Sequence, residues 1–188
     1  MPIHAVIEIK SNGKNITGRD ADRPEHVPIR AWRTIMKHGY AAAGEHWHRT
    51  YLPLHFTKAA YYRYPQVYQR RSLGYFLRHH VDQGSRKERL AAARVAAVDP
   101  QPNVFTGRLR ELSRIMALRA FQTRVTVTVQ VPSYVKTVRK GSSRADTVRE
   151  LTYVNSQETE SLARVVERDV NRNLQHFVKT KQLPTSGV

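Results

Sequence analysis

Lys136, Arg139, Lys140 and Arg144 surround Gly141-Ser142-Ser143 in a stretch with no apolar periodicity. Side chains of this kind on a Gly/Ser loop cannot be buried without partners, because desolvating an unpaired charge costs several kcal/mol. The segment must therefore lie in solvent or against anions. A second basic pair, Arg70-Arg71, sits in the run 52–80, where Tyr61, Tyr62, Tyr64, Tyr68 and Tyr75 interleave with arginines. Arginine grips phosphate or carboxylate through a planar fork, and aromatic rings between arginines can stack on bases. The same run also fits core or subunit packing. Phe56, Ala59 and Ala60, then Val67, Leu73, Phe76 and Leu77, have the spacing of buried faces on short helices, with Pro65 as a break between them. Tyr61, Tyr62, Tyr64, Tyr68 and Tyr75 are accordingly candidate subunit contacts. Lys136, Arg139, Lys140, Arg144, Arg70 and Arg71 are candidate contacts to DNA or an acidic partner.

No catalytic constellation stands beside these residues. There is no Gly-rich phosphate loop, GxSxG elbow or HExxH motif. His46 and His48 would point about 200° apart on a helix and so do not share a metal, and His79-His80 is no better placed. The nine histidines read as surface or interface polar groups. Glu45, Asp82 and Asp99 remain the acidic residues that tertiary structure would have to gather for a carboxylate site. Zero cysteines exclude disulfides, zinc ribbons and thiol nucleophiles. The expectation is a protein without catalytic residues, metal or cofactor.

Charge points to the partner. The 188 residues hold 32 Lys+Arg against 15 Asp+Glu, a net +17, so a polyanion is the natural counterpart. The excess lies in the middle of the chain: residues 28–97 carry thirteen basic and three acidic groups and 98–150 ten and four, whereas 151–188 carry five and four. A hydrophobic fraction of 40% suffices for a folded core. No window approaches the roughly 18 apolar residues of a membrane span, and the N-terminal MPIHAVIEIK does not resemble a signal peptide, so a soluble, unexported protein is expected.

These residues need elements to hold them. His4 to Ile9 alternates as a strand, and Ser11 to Glu25, with Asn12-Gly13, Gly18 and Pro24, reads as a turn or long loop. Pro28 opens a helix on which Ile29, Trp32, Ile35, Met36, Tyr40, Ala43 and Trp47 share a face. Gly39 and Gly44 imply close packing or a bend there, and Pro53 ends it. A short helix is expected through Lys87 to Val98, and another with Leu109, Leu112, Ile115 and Met116 on its buried side. Arg124 to Val131 alternates strictly and is the clearest strand, and Thr147 to Val154 reads as a second. Asn155 with Glu158 forms a capping-box signature before a helix over 156–179, with Leu162, Val165, Val166, Val170, Leu174 and Phe177 as its stripe. The division expected is an N-terminal strand and arm over 1–27, a single domain over 28–179, and a tail over 180–188.

Leu52-Pro53, His55-Phe56-Thr57, Ala60, Tyr64, Tyr68, Arg71-Ser72 and Tyr75 together resemble a pattern of tailed-bacteriophage virion morphogenesis and tail-completion proteins: LP-x-HFT, an alanine, spaced tyrosines and R-S-x-x-Y. Phe105 to Arg110 is similar to their T-G-x-L-R turn. Val131-Pro132-Ser133-Tyr134 is similar to their strand-ending P-x-Y, and Glu150-Leu151 with Glu158 to their closing E-L and helix. The order of these pieces over 50–175 carries the resemblance. It implies an α+β fold, a small antiparallel sheet packed against helices with long loops or arms. The implied role is that of a virion protein forming a homo-oligomeric ring in the neck, tail-completion or tail-terminator position. It would be assembled in the host cytoplasm, beside neck, connector or tail-tube proteins, with genomic DNA as a non-specific partner and no membrane. The competing expectation is a free basic nucleic-acid-binding protein of ribosomal or nucleoid type.

Overall fold

Strict alternation of valine with threonine makes Arg124–Val131 a strand with one face to bury, and the rest of the sheet forms around it. The computed structural model describes residues 3–10, 23–68, 108–132, 135 and 146–184, with 88, 90 and 91 besides. In it the fold is α+β: an antiparallel sheet of three strands packed against helices. The strands are β1 (Ile3–Lys10), β2 (Met116–Ala120) and β3 (Arg124–Val131), in the order β1-β3-β2. Val125, Val127, Val129 and Val131 of β3 are buried, while Thr126, Thr128 and Gln130 between them are half-buried. Ile7 and Ile9 of β1 are buried as well.

The pairing of β2 with β3 corrects one expectation. Met116 begins a strand instead of closing a helix, because α3 (Arg108–Leu112) stops at Leu112 and Ile115 is 52% exposed. Met-Ala-Leu-Arg-Ala favours a helix locally. The register Met116↔Val129 through Ala120↔Val125 overrides that preference by setting Met116, Leu118 and Ala120 beside the buried valines. The connecting turn is Gln122-Thr123, closed by the Phe121 N–H donating to the Arg124 carbonyl at 2.8 Å. Neither turn residue takes a left-handed φ, so the Asn-Gly signature that announces many hairpins is missing.

Contacts divide the chain into two compact units. The unit comprising Val6–Tyr51, Met116–Val129 and Val154–Val188 contains most of the sheet together with α1 (Ile29–His46) and α5 (Ser156–Thr180), which pack on each other, and α1 also meets β2. Trp32, Ile35, Met36, Tyr40 and Trp47 are buried as the periodicity requires, whereas Ile29, at the first helical position, is 42% exposed. The two glycines of α1 mark close approach. A Cβ on Gly39 would stand 2.7 Å from Val170 Cγ2 and 3.2 Å from the Val166 carbonyl, and one on Gly44 2.9 Å from Leu118 Cδ1 and 3.0 Å from Val125 Cγ2. Beyond His46 the chain widens into a π-helical turn, Trp47–Tyr51. Pro53, which has no N–H to continue a helix, falls in the following 3₁₀ turn, Leu52–Phe56.

The capping box of α5 is present in both directions. Asn155 Oδ1 accepts from the Glu158 N–H at 2.9 Å, and Glu158 Oε2 accepts from the Asn155 N–H at 3.3 Å. At the other end Lys181 adopts φ 57° and donates its N–H to the Phe177 carbonyl at 2.8 Å, a left-handed cap filled here by a residue other than glycine.

The other unit comprises Met1–Ala5, Leu52–Ile115 and Gln130–Tyr153. It contains the 3₁₀ turn, α2 (Ala60–Arg63), α3 and α4 (Thr147–Thr152). The helix α4 replaces the second strand expected over 147–154. The Asp146 side chain accepts from the Arg149 N–H at 3.0 Å and starts a helical turn. Glu150 and Leu151, adjacent in sequence, are both buried, which a strand with one buried face does not permit. Residues 11–22 of the loop expected over 11–25, most of the helix over 87–98 and the end of the tail lie outside the described residues.

Candidate functional site

The residues with the most unusual surroundings are those of the LP-x-HFT segment. A 3₁₀ turn brings Leu52, His55 and Phe56 to the same side, and all three are buried. Thr57 secures the turn by donating its hydroxyl to the Leu54 carbonyl at 2.8 Å. A further turn carries Ala60, Tyr64 and Tyr68 inward, forming a small core with Tyr61, Val67 and Tyr153 packed on it. At its centre the His55 imidazole stacks on Tyr64, with ring centroids 4.2 Å apart and planes 10° from parallel. The Tyr68 hydroxyl lies 3.0 Å from His55 Nδ1 and donates to the His55 carbonyl at 3.2 Å. Tyr153 meets Tyr64 edge-on at 6.2 Å.

This environment keeps His55 neutral. Burial lowers its pKa from 6.5 to about 4; a hydrogen bond with the Glu150 backbone opposes the fall and the charge of Arg63 adds to it. A neutral, stacked imidazole with its ring nitrogen on a tyrosine hydroxyl is a packing element with a polar edge. A general base needs solvent or substrate within reach, and His55 is fully buried. The expectation that the histidines are surface or interface groups therefore fails at His55. The sequence signal that marked it is the LP-x-HFT segment itself.

The candidate tyrosines separate into two kinds. Tyr64 and Tyr68 are buried in the chain's own core, and Tyr61 is half-buried. Tyr62 is 79% exposed. Tyr75, Arg70 and Arg71 lie outside the described residues, as do Lys136, Arg139, Lys140 and Arg144 of the basic loop. Of the histidine pair, His46 ends α1 and packs edge-on to Tyr51 at 5.6 Å. Glu45 pairs with Arg49 at 3.8 Å, and Asp82 and Asp99 are outside the described residues. Among the described residues no group of three or more His, Asp or Glu is placed to hold a metal, and no helix is long and apolar enough to cross a membrane.

No family model, curated protein or solved structure matches the chain. The surface must be read from its own chemistry.

That surface is basic and arginine-rich in places sequence reading did not single out. At the β2–β3 turn the guanidinium carbons of Arg119 and Arg124 stand 5.1 and 4.7 Å from the centre of the Phe121 ring, and Arg124 also pairs with Glu8 of β1 at 3.1 Å. On α5, Arg164, Arg168 and Arg172 are exposed. Two carboxylates of the same helix are buried: Glu158 in the capping box, and Asp169, which accepts from Arg172 and, at 2.8 Å, from Asn173 Nδ2. The apolar stripe Val165, Val166, Val170 already places Asp169 on the inner face by helical spacing.

Proposed function

We propose that this chain is a structural protein of a tailed bacteriophage that assembles into a homo-oligomeric ring at the head–tail interface, around the DNA channel. One observation carries the reading. Of the residues that give the sequence its resemblance to virion morphogenesis and tail-completion proteins, Leu52, His55, Phe56, Ala60, Tyr64 and Tyr68 are buried, and His55 stacks on Tyr64 with Tyr68 tilted against both rings. That convergence supports the reading by giving these residues of the pattern a shared packing role. The α+β architecture is the one the resemblance implies. Surface features fit a subunit of an assembly: exposed Tyr62, Ile115 and Val6, and free edges on β1 and β2 among the described strands.

Oligomeric state tests this. Light scattering and negative-stain images of the purified chain, alone and with neck or tail-tube proteins, should show rings. Monomers under every condition would overturn the proposal in favour of a free basic nucleic-acid-binding protein.

A further inference from the structure

The two outer strands of the sheet carry the same alternation. In β1, Ile7 and Ile9 are buried, and Val6 and Glu8 between them are exposed. In β2, Met116, Leu118 and Ala120 lie beside the buried valines of β3, and Ala117 and Arg119 are exposed on the opposite face. Each outer strand bonds to β3 on one side, and among the described residues no strand stands on its other side. Proteins blunt a free edge of this kind with proline, a bulge or an inward-pointing charge. Neither strand contains proline, and their inward residues are apolar. The apolar side of the sheet is also incomplete at β2: Val125, Val127 and Val129 are fully buried, whereas Met116, Leu118 and Ala120 beside them are only half-buried.

Charge decides which edge fits which. Glu8, at the β1 edge, pairs with Arg124 of β3 at 3.1 Å and keeps 35% of its side chain exposed; a carboxylate has acceptor sites for more than one guanidinium. Arg119, at the β2 edge, rests over the Phe121 ring, and no carboxylate among the described residues meets it. Joining two β1 edges or two β2 edges would gather like charges on one face, which is unfavourable across strands. Joining β1 to β2 brings opposite charges together. Both strands run antiparallel to β3 and so parallel to each other. A second copy's β1 laid along β2 with Glu8 opposite Arg119 therefore sets Val6 by Ala117, Ile7 by Leu118 and Ile9 by Ala120. Its isoleucines then extend the side of the sheet that is left half-covered.

We propose that β2 of one copy of this chain pairs with β1 of the next, continuing the sheet from subunit to subunit with Arg119 set against the neighbouring Glu8. Such a head-to-tail contact closes into a ring or runs on as a filament. The proposal rests on the ring reading above and names the surface that would build it.

Disulfide trapping in the full chain tests the contact, since the sequence has no cysteine of its own. Val6→Cys/Ala117→Cys puts one thiol at each edge, on exposed positions of one face. Within a chain β3 separates these positions by two strand spacings, about 10 Å, beyond the roughly 7 Å that a disulfide bridges. Between copies in the proposed register they stand about 5 Å apart. Mild oxidation of the variant, with its fold checked by circular dichroism, should give a ladder of dimers, trimers and larger species on a non-reducing gel. Val6→Cys and Ala117→Cys alone should give none. Adding Arg119→Glu to the pair should move the ladder to about tenfold higher protein concentration, because an attractive cross-strand pair becomes a repulsive one. Dimers from either single variant would show like edges meeting and overturn the proposal, as would the absence of a ladder from the double variant. A ladder indifferent to Arg119→Glu would overturn the pairing of Arg119 with Glu8. Rings in negative stain without a ladder would sink this contact and spare the ring reading; a ladder on open filaments would keep the contact and sink the ring.

Discussion

Replacing His55 with phenylalanine should make the protein less sensitive to acid, and the size of the effect follows from its surroundings. The unfolded chain protonates this histidine as pH falls through 6.5, whereas the folded chain resists until about 4. Between those values the unfolded state binds the extra proton, so stability is complete above 6.5, declines through the window and levels off below about 4. That gap corresponds to about 3 kcal/mol. Phenylalanine keeps the stack on Tyr64, and the Tyr68 hydroxyl keeps the backbone carbonyl of residue 55 as an acceptor. At pH 7.5 the variant should therefore lose about 1 to 3 kcal/mol, the net worth of the side-chain hydrogen bonds to the Tyr68 hydroxyl and the Glu150 backbone. At pH 4.5 the wild type carries most of the protonation penalty and the variant none, so the difference should swing by about 2 to 3 kcal/mol in the variant's favour. Urea denaturation of both proteins at the two pH values, followed by circular dichroism, measures this, and other titrating groups cancel in the comparison. A stability difference that is the same at pH 7.5 and 4.5 would refute the reasoning, as would an NMR titration placing the His55 midpoint near 6.5.

Gly39→Ala should destabilise by about 1 to 2 kcal/mol, since the new methyl would stand 2.7 Å from the stiff Val170 side chain and 3.2 Å from a carbonyl, and overpacking of that kind outweighs the gain in helix propensity. Thermal unfolding of Gly39→Ala, Val170→Ala and the double variant should show favourable coupling between the two sites. Asn155→Ala removes one half of the α5 capping box and should cost about 1 kcal/mol; chemical denaturation that leaves the midpoint unmoved would contradict the cap's role.

Patterns confined to one element were legible in the sequence. The alternation of 124–131, the Asn155–Glu158 capping box and the stripe of the helix read over 156–179, and the α1 face around Trp32, Ile35, Met36 and Tyr40 were legible in this way, because one buried face forces apolar residues to a fixed spacing. Net charge was equally plain, whereas Gly39 and Gly44 left close packing or a bend open until the structure showed close approach at both. What tertiary structure alone decided were choices between competing local preferences. Met116–Ala120 became a strand because β3 offered a partner in register, and Thr147–Thr152 a helix because Asp146 capped it while Glu150 and Leu151 both turned inward. The tyrosine run was ambiguous for the same reason: aromatic spacing alone does not distinguish a core from an interface. Burial made Tyr64 and Tyr68 core around His55 and left Tyr62 outside.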